Sequence, residues 1–142
     1  MGCGNVSEGR VSMPAPLNNI YERQELIGSG TFGRVYKCLN HLNGLTYALK
    51  VVDITANTRE EAVKQIDNLK REIKVLKKLN HPNIVKYYSF DISPDGLQVE
   101  IVLEYAERGS LKSYLGESGP LGETETGEKT RQILEGLAYL HS

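Results

Sequence analysis

Ile27-Gly28-Ser29-Gly30-Thr31-Phe32-Gly33-Arg34-Val35, with Tyr47-Ala48-Leu49-Lys50 a short loop later, is the stretch whose reading decides the fold of this 142-residue chain. Three glycines in six positions mark a loop whose backbone something must approach closely, because Gly lacks Cβ. Exposed backbone N–H groups in such a loop suit phosphate oxygens. A lysine on a later strand supplies a point positive charge to the same phosphates. The spacing by itself also fits a plain tight turn or a dinucleotide-binding βαβ unit. That unit needs a helix directly after the glycines and an acidic residue ~20 positions on. Asp53 stands at that distance from Gly33. The segment after Gly33 decides between them. Arg34-Val35-Tyr36-Lys37-Cys38-Leu39 is β-branched and aromatic with rough alternation, which predicts a strand. Asn40 to Gly44 then reads as a loop and Leu45 to Asp53 as another strand. Strand, glycine loop, strand, turn, strand is an antiparallel meander, with no helix N-terminus at the ligand.

The composition is that of an ordinary soluble globular domain, at 39% hydrophobic and 25% charged residues. A formal net charge of −1 implies no general affinity for nucleic acid. No apolar run approaches the ~18 residues of a membrane-spanning helix, and no secretory signal is visible. Two cysteines, Cys3 and Cys38, do not make a disulfide framework, so a reducing cytoplasmic setting is expected. Residues 1–19 are rich in Gly, Ser, Pro and Asn and are expected to be a flexible leader. Its opening offers Gly2 for myristoylation and Cys3 for palmitoylation, hence weak membrane association. Val6 stands where that pattern wants Ser or Thr, which leaves an unmodified leader as the alternative.

After Asp53, Thr58 and Glu61 have the form of a capping box. Ala62, Ile66, Leu69, Ile73, Leu76 and Leu79 recur as an amphipathic helix requires. At 100° per residue they span an arc of roughly 140°, with Glu72 inside it. A carboxylate on a buried face needs a partner. It is either a surface-edge side chain reaching water or the ion-pair partner of Lys50. His81-Pro82-Asn83 ends the helix. Ile84 to Ile92 and Leu97 to Tyr105 read as strands joined by the turn Ser93-Pro94-Asp95-Gly96. Leu111 to Leu115 predicts a short helix, Gly116 to Gly127 is glycine-rich, and Lys129 to His141 predicts a helix with Ile133, Leu137 and Leu140 on one face. No repeat or metal-ligand cluster stands out. His41, His81 and His141 are scattered.

From about Tyr21 to its end the chain resembles a eukaryotic protein kinase domain. The motifs are the glycine loop, Ala48-Leu49-Lys50, Arg71-Glu72-Ile73, His81-Pro82-Asn83-Ile84-Val85 and Leu103-Glu104-Tyr105. Gly109-Ser110-Leu111 and Arg131 to Ser142 look most like the MAP-kinase-kinase-kinase branch of serine/threonine kinases. The resemblance implies an α+β fold: a five-stranded antiparallel sheet plus helix C as the small lobe (20–105), then the hinge and the first helices of the large lobe (106–142). It implies ATP and Mg²⁺ as cofactors, a protein substrate for the complete enzyme and no nucleic-acid partner. Ile27, Gly28, Ser29, Gly30, Thr31, Phe32 and Gly33 would cover the phosphates. Val35 and Ala48 would sandwich adenine. Lys50 would orient the α- and β-phosphates, held by Glu72. Leu103 would be the gatekeeper, and the Glu104 carbonyl and Ala106 amide would meet the adenine edge. Leu76 and Tyr87 would sit behind helix C. The general-base aspartate, the metal-binding asparagine, Asp-Phe-Gly and the activation segment are absent from these residues. The chain is therefore expected to be a truncated kinase portion, inactive alone, with a non-catalytic interaction module as the alternative reading. A poorly ordered tail from about Gly116 is also expected.

Overall fold

The computed structural model describes residues 17–142. Its elements run α1 (Leu17–Ile20), β1 (Tyr21–Gly30), β2 (Gly33–Asn40), β3 (Thr46–Asp53), α2 (Arg59–Leu76), β4 (Tyr87–Ile92), β5 (Gln98–Glu104), α3 (Leu111–Ser118) and α4 (Glu123–Leu140). The strands form one sheet in the order β1-β2-β3-β5-β4, and every neighbouring pair is antiparallel. The expected five-stranded α+β architecture is therefore present. No described helix is long and apolar enough to cross a membrane.

Strand periodicity divides the sheet into two faces. On one, Cys38, Tyr47, Leu49, Val51 and Val102 form a buried cluster under Leu17 and flanked by Tyr21 and Tyr36. On the other, Ile54, Val99 and Ile101 meet Ile73 of α2, with Ala62, Ile66 and Leu69 of the same helix packed alongside. Between them these clusters bury eleven residues' worth of apolar side chain with Ala48 included. Such contiguous burial is the dominant favourable term for a lobe this small.

Helix α2 begins as its sequence predicts. Thr58 has extended backbone angles, and its hydroxyl accepts a hydrogen bond from the Glu61 amide at 3.2 Å. The return bond differs from a standard capping box, because the Glu61 carboxylate accepts from the Asn57 amide instead. The helix ends at Leu76, a turn before Leu79.

Three expectations change. The leader does not extend to residue 19: Leu17 is buried, and its amide donates to the Asp91 carboxylate at 3.3 Å. Burying its side chain among Cys38, Tyr47 and Val102 outweighs the polarity of its sequence neighbours. The strand expected from Ile84 starts at Tyr87, because the Ile84 amide is used in a turn onto the His81 carbonyl. The tail after Gly116 is ordered as α3 and α4, and α4 begins at Glu123 rather than Lys129. Glu123 and Glu125 in its first turn favour the positive end of the helix dipole, which offsets the cost of Gly127 within it. Gly2 and Cys3 lie outside the described residues.

Candidate functional site

The glycine stretch folds as the tip of the β1–β2 hairpin. Gly30 pairs with Gly33, and Thr31 and Phe32 make the turn between them. The three motif glycines differ in kind. Gly33 has φ of +115°, and a Cβ there would overlap the Val51 carbonyl, with the carbonyl carbon 3.2 Å away. Only Gly fits that combination of angle and space. Gly28 and Gly30 have ordinary φ, with a Cβ at Gly28 meeting Val35 at 3.7 Å and one at Gly30 meeting nothing within 4 Å. Their missing side chains leave backbone open to a visitor. Phe32 is 80% exposed at the tip, and Ile27, Ser29, Gly30 and Thr31 are exposed with it.

Beneath the hairpin, register places four of the expected residues on one sheet face. Val35 lies opposite Lys50, Lys50 opposite Ile101, and Ala48 opposite Leu103. Residues directly across an antiparallel ladder share a face. Ala48 is buried, while Val35, Lys50 and Leu103 are half-buried. The Lys50 ammonium stands 5.9 Å from the centre of the Phe32 ring. Among the described residues no carboxylate pairs with it.

Glu72 is not that partner here. It is exposed, and it makes no ion pair with Lys50. The cause lies in where α2 stops. With Leu79 outside the helix, the apolar arc shrinks to roughly 80°, from Leu76 to Ile66 and centred on Ala62, and Glu72 falls outside it. The residue read as a buried charge is a solvated edge side chain in this arrangement.

At the far end of β5 the Glu104 amide donates to the Lys86 carbonyl at 2.8 Å, and its carboxylate accepts from the Lys86 amide at 3.0 Å. Ala106 is exposed, and its carbonyl accepts from the Gly109 amide. A cavity of about 550 Å³ opens beside these two residues, bounded by Ile84, Leu111, Tyr114 and Ile133. It does not include Val35, Ala48, Lys50 or Leu103. The structure thus brings the glycine hairpin, Val35, Ala48, Lys50 and Leu103 together and leaves Glu72 apart.

Three features went unread in the sequence. Asn83 Nδ2 donates to the Gln132 carbonyl at 3.0 Å and to the Glu135 carboxylate at 3.1 Å. The Tyr139 hydroxyl accepts from the Asn80 amide at 3.0 Å. Together they bolt α4 to the segment after α2. The third is Cys38, fully buried, whose thiol donates to the Tyr47 carbonyl at 3.4 Å. Burial pushes that thiol up from 9.0 to about 11, the Tyr47 bond opposing and Glu100 adding to the rise. The Asn in His-Pro-Asn was the one available signal; nothing local announces the other two.

A cradle of glycine backbone over a half-buried lysine, with apolar residues flanking it on one sheet face, suits a phosphorylated ligand with a flat apolar group. Among the described residues no three His, Cys, Asp or Glu side chains converge to hold a metal ion.

A sequence profile described as the protein kinase domain matches residues 21–142. The chain is 40% identical over 134 residues to the serine/threonine-protein kinase SSK22 of Saccharomyces cerevisiae, covering 92% of this chain and 10% of that protein. It is 39% identical to the MAP kinase kinase kinase SSK2 of the same yeast, again over 92% of this chain and 8% of the relative. Human mitogen-activated protein kinase kinase kinase 3 is 40% identical over 131 residues, 92% of this chain and 20% of that protein. The chain thus spans a fifth or less of the length of these relatives.

Proposed function

The chain belongs to the protein kinase domain family, and from that premise we propose that it is the ATP-binding portion of a serine/threonine kinase of the MAP-kinase-kinase-kinase kind. One observation carries the reading: Lys50 stands on the same sheet face as Val35, Ala48 and Leu103, below a glycine hairpin, with no described carboxylate holding its charge. In this reading Val35 and Ala48 pack from the sheet against the adenine ring. The Glu104 carbonyl and the Ala106 amide fix its edge. Gly28 and Gly30 let the loop backbone close on the phosphates, and the Lys50 ammonium orients them. MgATP supplies the transferable phosphoryl group, and a protein hydroxyl in the complete enzyme receives it. Phosphoryl transfer depends on positioning and charge stabilisation. These residues provide the positioning, and Glu72 joins them only if α2 turns toward Lys50.

The 142 residues contain no general-base aspartate of the kinase type, so this segment by itself is proposed not to phosphorylate protein. The membrane proposal rests on Gly2 and Cys3 alone: a single myristoyl chain gives marginal binding, and a second acyl group makes it stable. Mass spectrometry of the N-terminal peptide from a eukaryotic host decides it, and a free or acetylated Gly2 ends that idea.

The nucleotide reading is tested by equilibrium binding of MgATP to the chain and to Lys50→Met. Saturable binding that Lys50→Met weakens at least tenfold supports it. Equal affinity of the two proteins, or no binding by either, overturns it and favours a kinase-like interaction module.

A further inference from the structure

We propose that Asp53 is a positioning residue for the glycine hairpin and acts through Arg34. Arg34 is the first residue after Gly33, at the root of the loop on β2. Its guanidinium donates to both oxygens of Asp53, at 2.9 Å and 3.1 Å. The Gln98 side-chain amide donates to the same carboxylate at 2.8 Å. Asp53 thus joins the first residues of β2 to the end of β3 and the start of β5.

The hairpin has few other handles. Its tip residue Phe32 is 80% exposed and so makes little packing contact. Its β1 arm carries register shifts between Arg23 and Leu26 and between Leu26 and Gly28, so only its last three residues, Gly28 to Gly30, ladder regularly onto β2 next to the loop. The β2 arm is regular, pairing with β3 from Arg34 to Leu39. Besides this ladder, two contacts among the described residues hold its root: Gly33 pressed against Val51, and Arg34 gripped by Asp53. The first sets how near the loop lies to the sheet. The second restrains its tilt, because a single guanidinium nitrogen of Arg34 is held between both carboxylate oxygens of Asp53.

Both side chains are 40–48% exposed, so the pair contributes little to overall stability. A local lever of that size still matters at a loop that must close on a ligand. An effect of about threefold on loop opening is the scale of one well-formed exposed ion pair.

The test is a double-mutant cycle with Asp53→Ala, Arg34→Ala and the pair, run on the whole chain. Hydrogen exchange of the 28–34 amides without nucleotide is the first readout. Each single variant should speed exchange there about threefold, the double variant no further, and Asp53→Glu should restore most of the protection. The MgATP dissociation constant is the second readout, and it rests on the proposed nucleotide site. There the singles should weaken binding and again fail to multiply. Unchanged exchange at 28–34, multiplying effects, or a loss of protection spread evenly over α2 and β5 would each overturn the proposal. If the unmutated chain binds no MgATP, the nucleotide reading fails, and the exchange cycle still decides the role of Asp53.

Discussion

Replacing Gly33 by Ala should destabilise the fold itself, while the same change at Gly30 should not. At Gly33 an L residue would sit at φ of +115°, which costs roughly 1–2 kcal/mol for a side chain with Cβ. Its methyl would also overlap the Val51 carbonyl, whose carbon lies 3.2 Å from the Cβ position. That neighbour is backbone in the middle of the sheet, so it cannot swing aside as a side chain end can. Relief requires β2 and β3 to part, an overpacking cost of roughly 1–3 kcal/mol. The sum is about 3 kcal/mol, against a typical total of roughly 5–15. In a chain of this size it corresponds to a fall of roughly 6–12 °C in Tm. At Gly30 φ is ordinary and a Cβ meets nothing within 4 Å, so Gly30→Ala should stay within about 0.5 kcal/mol. The chain has no Trp and eight Tyr, so far-UV circular dichroism is the appropriate probe of melting. A Gly33→Ala protein melting within about 2 °C of the unmutated chain would refute the steric argument. So would equal losses at the two positions.

Leu17→Ala should cost about 2 kcal/mol, the low end for a buried Leu because α1 is a single turn at the edge of the core; chemical denaturation with and without the change measures it. Cys38 should resist thiol reagents at pH 8 until the chain unfolds. Its folded pKa lies above the unfolded value, so its contribution is complete below pH 9 and is lost as pH rises from 9.0 to about 11; that loss is on the order of 2–3 kcal/mol, read as a steeper fall in stability than a Cys38→Ala variant shows. Glu72→Gln should leave the melting of this chain unchanged, since Glu72 is exposed and has no ion-pair partner among the described residues. In a version extended through the catalytic loop it should lower kinase activity at least tenfold; full activity there would remove Glu72 from the mechanism.

Local sequence was enough wherever a residue's neighbours in the chain set its conformation. The glycine spacing followed by the β-branched run Arg34 to Leu39 predicted a hairpin instead of a βαβ unit, because strand propensity directly after the loop leaves no helix to receive a phosphate. Thr58 announced the start of α2 for the same reason, as a cap acts within three residues. A period of two puts Ala48 and Lys50 on one face of their own strand, whereas only the register between strands brought Val35 and Leu103, named from the family resemblance, to that face. Tertiary structure decided what depended on contacts between distant residues. Asp53 matched the spacing of a ribose-binding acid, and only the fold shows that Arg34 and Gln98 reach its carboxylate from two other strands. Glu72 lay inside an apolar arc only while Leu79 counted as helix, and the turn toward the bolts at Asn83 and Tyr139 removed Leu79 from it. Leu17 looked like part of a polar leader until the sheet offered it a seat among Cys38, Tyr47 and Val102. Propensity and periodicity are properties of a few consecutive residues, whereas burial and pairing depend on which surfaces meet when the chain closes on itself.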